Sequence, residues 1–127
     1  MGEEARWAEL ETAAQQILDQ LDPRRRWRVV DAGPGDDLGR IDIQGRAPDG
    51  GRWEQASVHF PLSDPWPETI AWIASELQDY VVESGLQWGA AAPKCPGHRH
   101  PADPVTVEGT AVWVCPATHA VLRPVLA

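Results

Sequence analysis

The sequence predicts an α+β protein, a two-layer αβββα body with an antiparallel sheet followed by a small C-terminal β-hairpin. Three observations lead there. Two stretches, near residues 3–21 and 65–84, place apolar residues at helical spacing. Between them, short segments alternate apolar and polar residues with the period of half-buried strands. Finally, the composition changes near residue 90. Residues 1–90 carry 17 acids against 8 bases, whereas residues 91–127 carry 2 against 3 and hold both cysteines and three of the four histidines. The expected division is an acidic body, 1–90, and a near-neutral tail, 91–127.

In the first helix, Trp7, Leu10, Ala14, Ile17, Leu18 and Leu21 form one stripe, and Ala and Gln supply helix propensity between them. Asp22-Pro23 stops it, because a residue before proline is pushed out of helical angles. Arg24-Arg25-Arg26 then turns the corner into a first strand, Trp27-Arg28-Val29-Val30. Gly33-Pro34-Gly35-Asp36-Asp37 reads as a turn. A second strand over 38–45 points Ile41 and Ile43 inward, and Ala47-Pro48-Asp49-Gly50-Gly51 supplies a hairpin loop. The third strand, 52–60, points Ala56, Val58 and Phe60 inward and Ser57 and His59 outward.

Ser63-Asp64 offers a cap for the second helix, Pro65 suits its first position, and Glu68 sits in its first turn. Ile70, Ile73, Leu77, Tyr80, Val81 and Ser84 trace its apolar stripe to the stop at Gly85. Packing both stripes on the single apolar face of the sheet gives the two-layer arrangement. Double-stranded RNA-binding domains share this element order. Here, however, Pro65-Trp66-Pro67-Glu68 opens the second helix where those domains carry basic residues, and topology alone assigns no function.

Beyond Gly89-Ala90-Ala91-Ala92-Pro93 the chain reads Cys95-Pro96-Gly97-His98-Arg99-His100-Pro101 and later Cys115-Pro116-Ala117-Thr118-His119. A cysteine with a histidine three or four positions on can curl around one ion, and the proline stiffens the turn. Cys95, His98, Cys115 and His119 make a four-ligand set suited to tetrahedral zinc, with His100 as the alternative to His98. Val105-Thr106-Val107 and Ala111-Val112-Trp113-Val114 flank Glu108-Gly109-Thr110 as a hairpin joining the two knuckles, with Ala120-Val121-Leu122 available as a third short strand. Four protein ligands leave no position for water, so such a zinc is structural; three would leave one open to hydrolytic chemistry. A Cys95–Cys115 disulfide and two unrelated thiols are the competing readings.

The Cys95-Pro96-Gly97-His98-Arg99-His100-Pro101 stretch, followed by Ala111-Val112-Trp113-Val114-Cys115-Pro116, resembles the zinc-ribbon-like tail of a group of small uncharacterised actinobacterial proteins. In that group a Cys-Pro-x-His-x-His-Pro stretch precedes a short hairpin and a Trp-x-Cys-Pro element. The resemblance covers about the last 35 residues of the chain and implies no activity. Residues after the second Cys-Pro vary in that group and include no fixed histidine, which leaves the fourth ligand open between His119 and its alternatives.

A net charge of -8 works against nonspecific contact with phosphate backbones. No nucleophile–base pair, phosphate-binding glycine loop or general base beside the cysteines stands out, and Glu108, the one tail glutamate, falls at a turn. Asp36, Asp37 and Asp42 read as a solvated acidic loop. The expected function is a non-catalytic protein-interaction or adaptor module with structural zinc. Trp66, Trp72 and Trp88 are its candidate contacts, since aromatic residues are enriched at interfaces. The alternatives are a zinc-ribbon regulator touching nucleic acid through Lys94, Arg99, Arg123 and Arg24–Arg26, and a small zinc-dependent hydrolase. The Met-Gly-Glu-Glu-Ala-Arg start has neither the basic region nor the apolar run of a signal peptide, and the expected location is cytoplasmic.

Overall fold

The computed structural model describes residues 3–22, 24, 26–46, 53–83, 93–98 and 100–126. The loop expected over 47–51, the helix stop at Gly85 and Trp88 lie outside them. The protein is α+β, and its described residues form two helices and two three-stranded antiparallel sheets. The elements in chain order are α1 (Glu3–Leu21), β1 (Trp27–Pro34), β2 (Gly39–Arg46), β3 (Trp53–Phe60), α2 (Trp66–Glu83), β4 (Asp103–Val107), β5 (Thr110–Val114) and β6 (Val121–Pro124). Among the described residues, no helix is long and apolar enough to cross a membrane.

The first sheet has the order β1-β2-β3. Its register pairs Ile41 with Ala32 and Val58, and Ile43 with Val29 and Ala56, so the alternating positions of three strands meet on one face. Strand β1 runs four residues beyond Val30, and its register shifts between Val29 and Asp31. That irregularity breaks the apolar alternation and hides the strand's length from a reading of period alone. Two glycines admit aromatic rings: a Cβ at Gly45 would lie 2.7 Å from the Trp27 indole, and one at Gly39 would lie 2.4 Å from the Phe60 ring. Both rings are buried against the helices because those positions carry no side chain.

Both edges of this sheet are capped by helix side chains. On the β1 edge, the Gln15 amide of α1 accepts from the Val29 N–H (2.9 Å) and donates to the Trp27 carbonyl (3.1 Å), copying the pairing of an absent strand. On the β3 edge, the Trp72 indole N–H donates to the His59 carbonyl (3.1 Å) and the Tyr80 hydroxyl to the Gln55 carbonyl (3.4 Å). Open edges are templates for unwanted pairing, and these contacts occupy them. Helix α2 starts at Trp66, with Pro65 accepting its first helical bond from Thr69 (2.9 Å). Pro65 thus stands one position earlier than expected, and Pro67 falls inside the first turn, where its missing N–H costs nothing.

The second sheet, order β4-β5-β6, packs with β4 and β5 against α2. Its β4–β5 turn places Glu108 (φ 49°) and Gly109 (φ 79°) in the left-handed region, the two-residue turn whose twist matches an antiparallel hairpin. Trp113, Ala111, Ala102 and Val125 join the same buried cluster as Leu10, Ile17, Ile43 and Leu77. Amides seal the junction. The Trp113 indole N–H donates to Gln20 Oε1 (3.0 Å), Gln20 Nε2 to the Val125 carbonyl (2.6 Å), and Gln78 Nε2 to the Ala102 carbonyl (2.6 Å).

Candidate metal centre

The first knuckle is a short excursion of the chain. Lys94 pairs with Pro101, and the Ala102 N–H reaches the Pro93 carbonyl (2.9 Å), so the chain doubles back on itself around the first knuckle. At its start the His98 N–H donates to the Cys95 carbonyl (3.1 Å). Gly97 sits at φ 78° with nothing within 4 Å of a would-be Cβ, so glycine is needed there for its backbone and not for space. The second knuckle begins where β5 ends. The Cys115 N–H donates to the Ala120 carbonyl (2.9 Å) and the His119 N–H to the Cys115 carbonyl (2.7 Å), which turns the chain beneath the Cys115 sulfur.

These two turns bring Cys95, His98, His100 and Cys115 together, with one ligand atom from each lying within 4.8 Å of all the others. His98 Nδ1 is 3.2 Å from Cys95 Sγ and 3.3 Å from Cys115 Sγ. Bonds of roughly 2.0–2.3 Å to a tetrahedral ion imply ligand separations of roughly 3.3–3.8 Å, so a modest expansion admits one. The imidazoles of His98 and His100 stack, with ring centroids 4.8 Å apart. Both cysteines are buried and carry free thiols.

His100 supplies the most direct sign of a missing partner. Its Nδ1 lies 3.4 Å from the Pro101 carbonyl, a contact that places the ring proton on Nδ1. Its Nε2 is buried and has no hydrogen-bond partner among the described residues. A buried imidazole lone pair without a donor is costly unless a cation takes it. The donor set therefore fits a metal ion on an observation independent of spacing.

The sulfurs are electrostatically unequal. Cys115 is drawn down to about 6, chiefly by the Thr118 hydroxyl, against burial, with help from Cys95 and from the Thr118 and Ala117 backbone N–H groups. Burial, followed by its hydrogen bond and charge interaction with Cys115, pushes Cys95 up to about 11. One sulfur thus enters the neutral range as thiolate while the other holds its proton until a cation displaces it. Thr118 also accepts from the Ala120 N–H (3.3 Å), which fixes the hydroxyl under the sulfur.

His119 is not a member of this group. It is exposed, at φ 63°, and contributes its backbone N–H to the turn. His98 and His100, which spacing treats as competitors for one position, both belong to the group. The overlooked signal is their closeness in sequence, since two histidines two positions apart after one Cys-Pro can both serve one ion. A direct check follows. His100→Ala should weaken metal binding by about tenfold or more, the size seen when a metal site loses a supporting contact. His119→Ala should leave it within about twofold. Competition with a chromophoric chelator measures both, and equal loss in the two variants would return the fourth position to His119.

The chain matches no known protein family, no curated protein and no solved structure. Its chemistry has to be read from its own side chains.

Trp66 is 37% exposed and Trp72 45% exposed, both on α2, while Trp88 lies outside the described residues. In the arginine corner, Arg26 is spent on Asp22: its Nε lies 2.8 Å from a carboxylate that is almost wholly buried. Asp42 is paired with Arg40 and accepts from the Ser57 hydroxyl (2.6 Å), so the acidic loop does not gather its carboxylates around an open centre. Among the described residues, Cys95, His98, His100 and Cys115 form the one histidine, cysteine and carboxylate group that could hold a metal ion.

Proposed function

We propose that this chain is a non-catalytic protein-interaction module whose tail is a zinc-ribbon-like element stapled by one structural zinc ion. The observation that carries the reading is the orphaned, buried His100 Nε2 beside two free thiols and a second imidazole. Two thiolates and two imidazoles are the donor chemistry of tetrahedral zinc, and Cys115 is already biased toward thiolate. Four protein donors fill a tetrahedron and leave no site for substrate water, so the zinc of this reading is structural. It would tie the loop carrying Cys95 to the end of β5. The interaction role rests on Trp66 and Trp72, large apolar side chains left in solvent on one helix.

Native mass spectrometry of the purified chain should give one zinc per polypeptide, lost on chelation together with the heat stability of the fold. A metal-free protein with intact Cys95 and Cys115 thiols and an unchanged melting curve would overturn the zinc assignment.

A further inference from the structure

From the exposed face of α2 we infer that the module's partner presents an extended, arginine-bearing segment, which this face binds in the groove between α2 and β4. The inference rests on the interaction reading and names the chemistry of the partner. The groove has a volume of about 430 Å³, with Asp64, Glu68, Trp72 and Glu76 on the helix side and Pro104 and Thr106 on the strand side. Glu68, Trp72 and Glu76 are spaced four residues apart, so they form one row along the helix.

Charge decides the occupant. None of the carboxylates of Asp64, Glu68 and Glu76 pairs with a described residue, and α2 contains neither lysine nor arginine. Elsewhere Arg26 is used on Asp22, Arg40 on Asp31 and Asp42, and Arg28 and Arg46 on the Trp53 ring. Trp53 shows what an exposed indole does when cations are at hand, with Arg28 5.1 Å and Arg46 5.4 Å from its centroid. The Trp72 ring has no such cation among the described residues, yet its N–H bond to the His59 carbonyl holds it in place. A half-exposed indole fixed between two unpaired glutamates is shaped for a guanidinium that stacks on the ring and is flanked by carboxylates.

The spacing sets the segment's conformation. Four residues of helix advance about 6 Å, and two residues of extended chain advance about 6.6 Å. Arginines at alternate positions of an extended segment therefore fall in step with Glu68, Trp72 and Glu76 over this short row. Arginine is preferred to lysine because its planar fork both stacks and bridges carboxylates.

The test uses the full chain in its metal-bound form and a fluorescein-labelled Arg-Thr-Arg-Thr-Arg peptide, read by fluorescence polarisation at low and moderate salt. Saturable, salt-sensitive binding is expected. Glu68→Gln with Glu76→Gln should weaken it about tenfold, and Trp72→Phe should weaken it several-fold. Asp36→Asn with Asp37→Asn removes the same charge from the β1–β2 turn, outside the groove lining, and should leave it within about twofold. The lysine peptide, and a peptide with its three arginines adjacent, should both bind more weakly. No saturable binding, or equal weakening by the two double variants, would overturn the inference. So would concentration-dependent dimerisation lost in Glu68→Gln/Glu76→Gln, which would assign the groove to a second copy of the chain. Zinc content measured on the same samples separates the outcomes: a zinc-loaded, stable protein that ignores the peptide removes only this groove assignment, while a zinc-free protein removes the zinc reading beneath it.

Discussion

Replacing Cys115 by serine should abolish tight zinc binding and cost more than about 4 kcal/mol of stability, among the largest effects a single substitution can have. Cys115 directly follows β5, is almost wholly buried, and sits 3.3 Å from His98 Nδ1. Serine keeps the size of the side chain but offers a hydroxyl that does not ionise near neutral pH, so the ion loses a thiolate and the buried group gains nothing in return. On the proposed zinc reading, the effect would be carried by metal bound to the folded state alone, which stabilises by mass action. Urea unfolding with and without chelator measures it. The wild-type midpoint should fall to that of Cys115→Ser on chelation, and the variant's midpoint should not respond. Cys95→Ser should behave in the same way, since its loop, closed on itself by the Lys94–Pro101 pairing and the bond from Ala102 to Pro93, reaches Cys115 through His98. A variant that retained the chelator response would remove the metal from its role in holding the fold.

Periodicity carried most of the elements because one buried face was enough to write them into the sequence. Ile41 and Ile43 alternate cleanly, and Leu10, Ile17 and Leu21 keep a helical stripe. Where a residue faces two neighbours, the period fails. Trp113 and Ala111 point into the core between α2 and the second sheet, yet Val112 and Val114 of the same strand are also buried, so β5 reads as a continuous apolar run. Such a run does not say what covers each face. The joining amides were equally hidden. Gln15, Gln20 and Gln78 look like ordinary polar helix residues, and only the fold reveals that each bonds a backbone carbonyl of a strand or chain segment far away in sequence.

The metal group was legible in composition and only partly so in detail. Two Cys-Pro turns announced two knuckles, and Cys95, His98 and Cys115 were chosen by spacing alone. Whether His100 or His119 stands with them depends on backbone conformation. His98 and His100 stack on one another and both join the group. The left-handed turn at His119 instead spends that residue's backbone on Cys115 and leaves its ring in solvent. Spacing counts residues along the chain and cannot register that turn. Exposure of Trp66 and Trp72 was a similar matter of orientation, since both sit on a helix whose other faces are occupied by β3, β4 and β5.

The second large effect expected is that of Trp113→Ala, and it probes how the two sheets share one interior. Trp113 is fully buried although it belongs to a strand in the last eighteen residues of the sequence, and its indole N–H is held by Gln20 from α1. Truncating a buried tryptophan costs about 3–5 kcal/mol through lost burial and the cavity left behind. Gln20 also loses its donor, although its own amide still reaches the Val125 carbonyl. A domain of this size has roughly 5–15 kcal/mol in total, so the loss takes a large share of it. Trp113→Phe keeps most of the packing and removes only the N–H, and should cost about 1–2 kcal/mol. Because Trp113 and Val125 belong to the same cluster as Leu10, Ile17 and Ile43, the loss should be felt by the whole fold. Hydrogen exchange should show protection falling together in α1, in β2 and in β5, with one zinc per chain retained. Confinement of the loss to β4–β6, with α1 and β2 protected as before, would mean that the second sheet unfolds as a unit of its own and that the interior shared through Gln20 and Trp113 does not bind the two together.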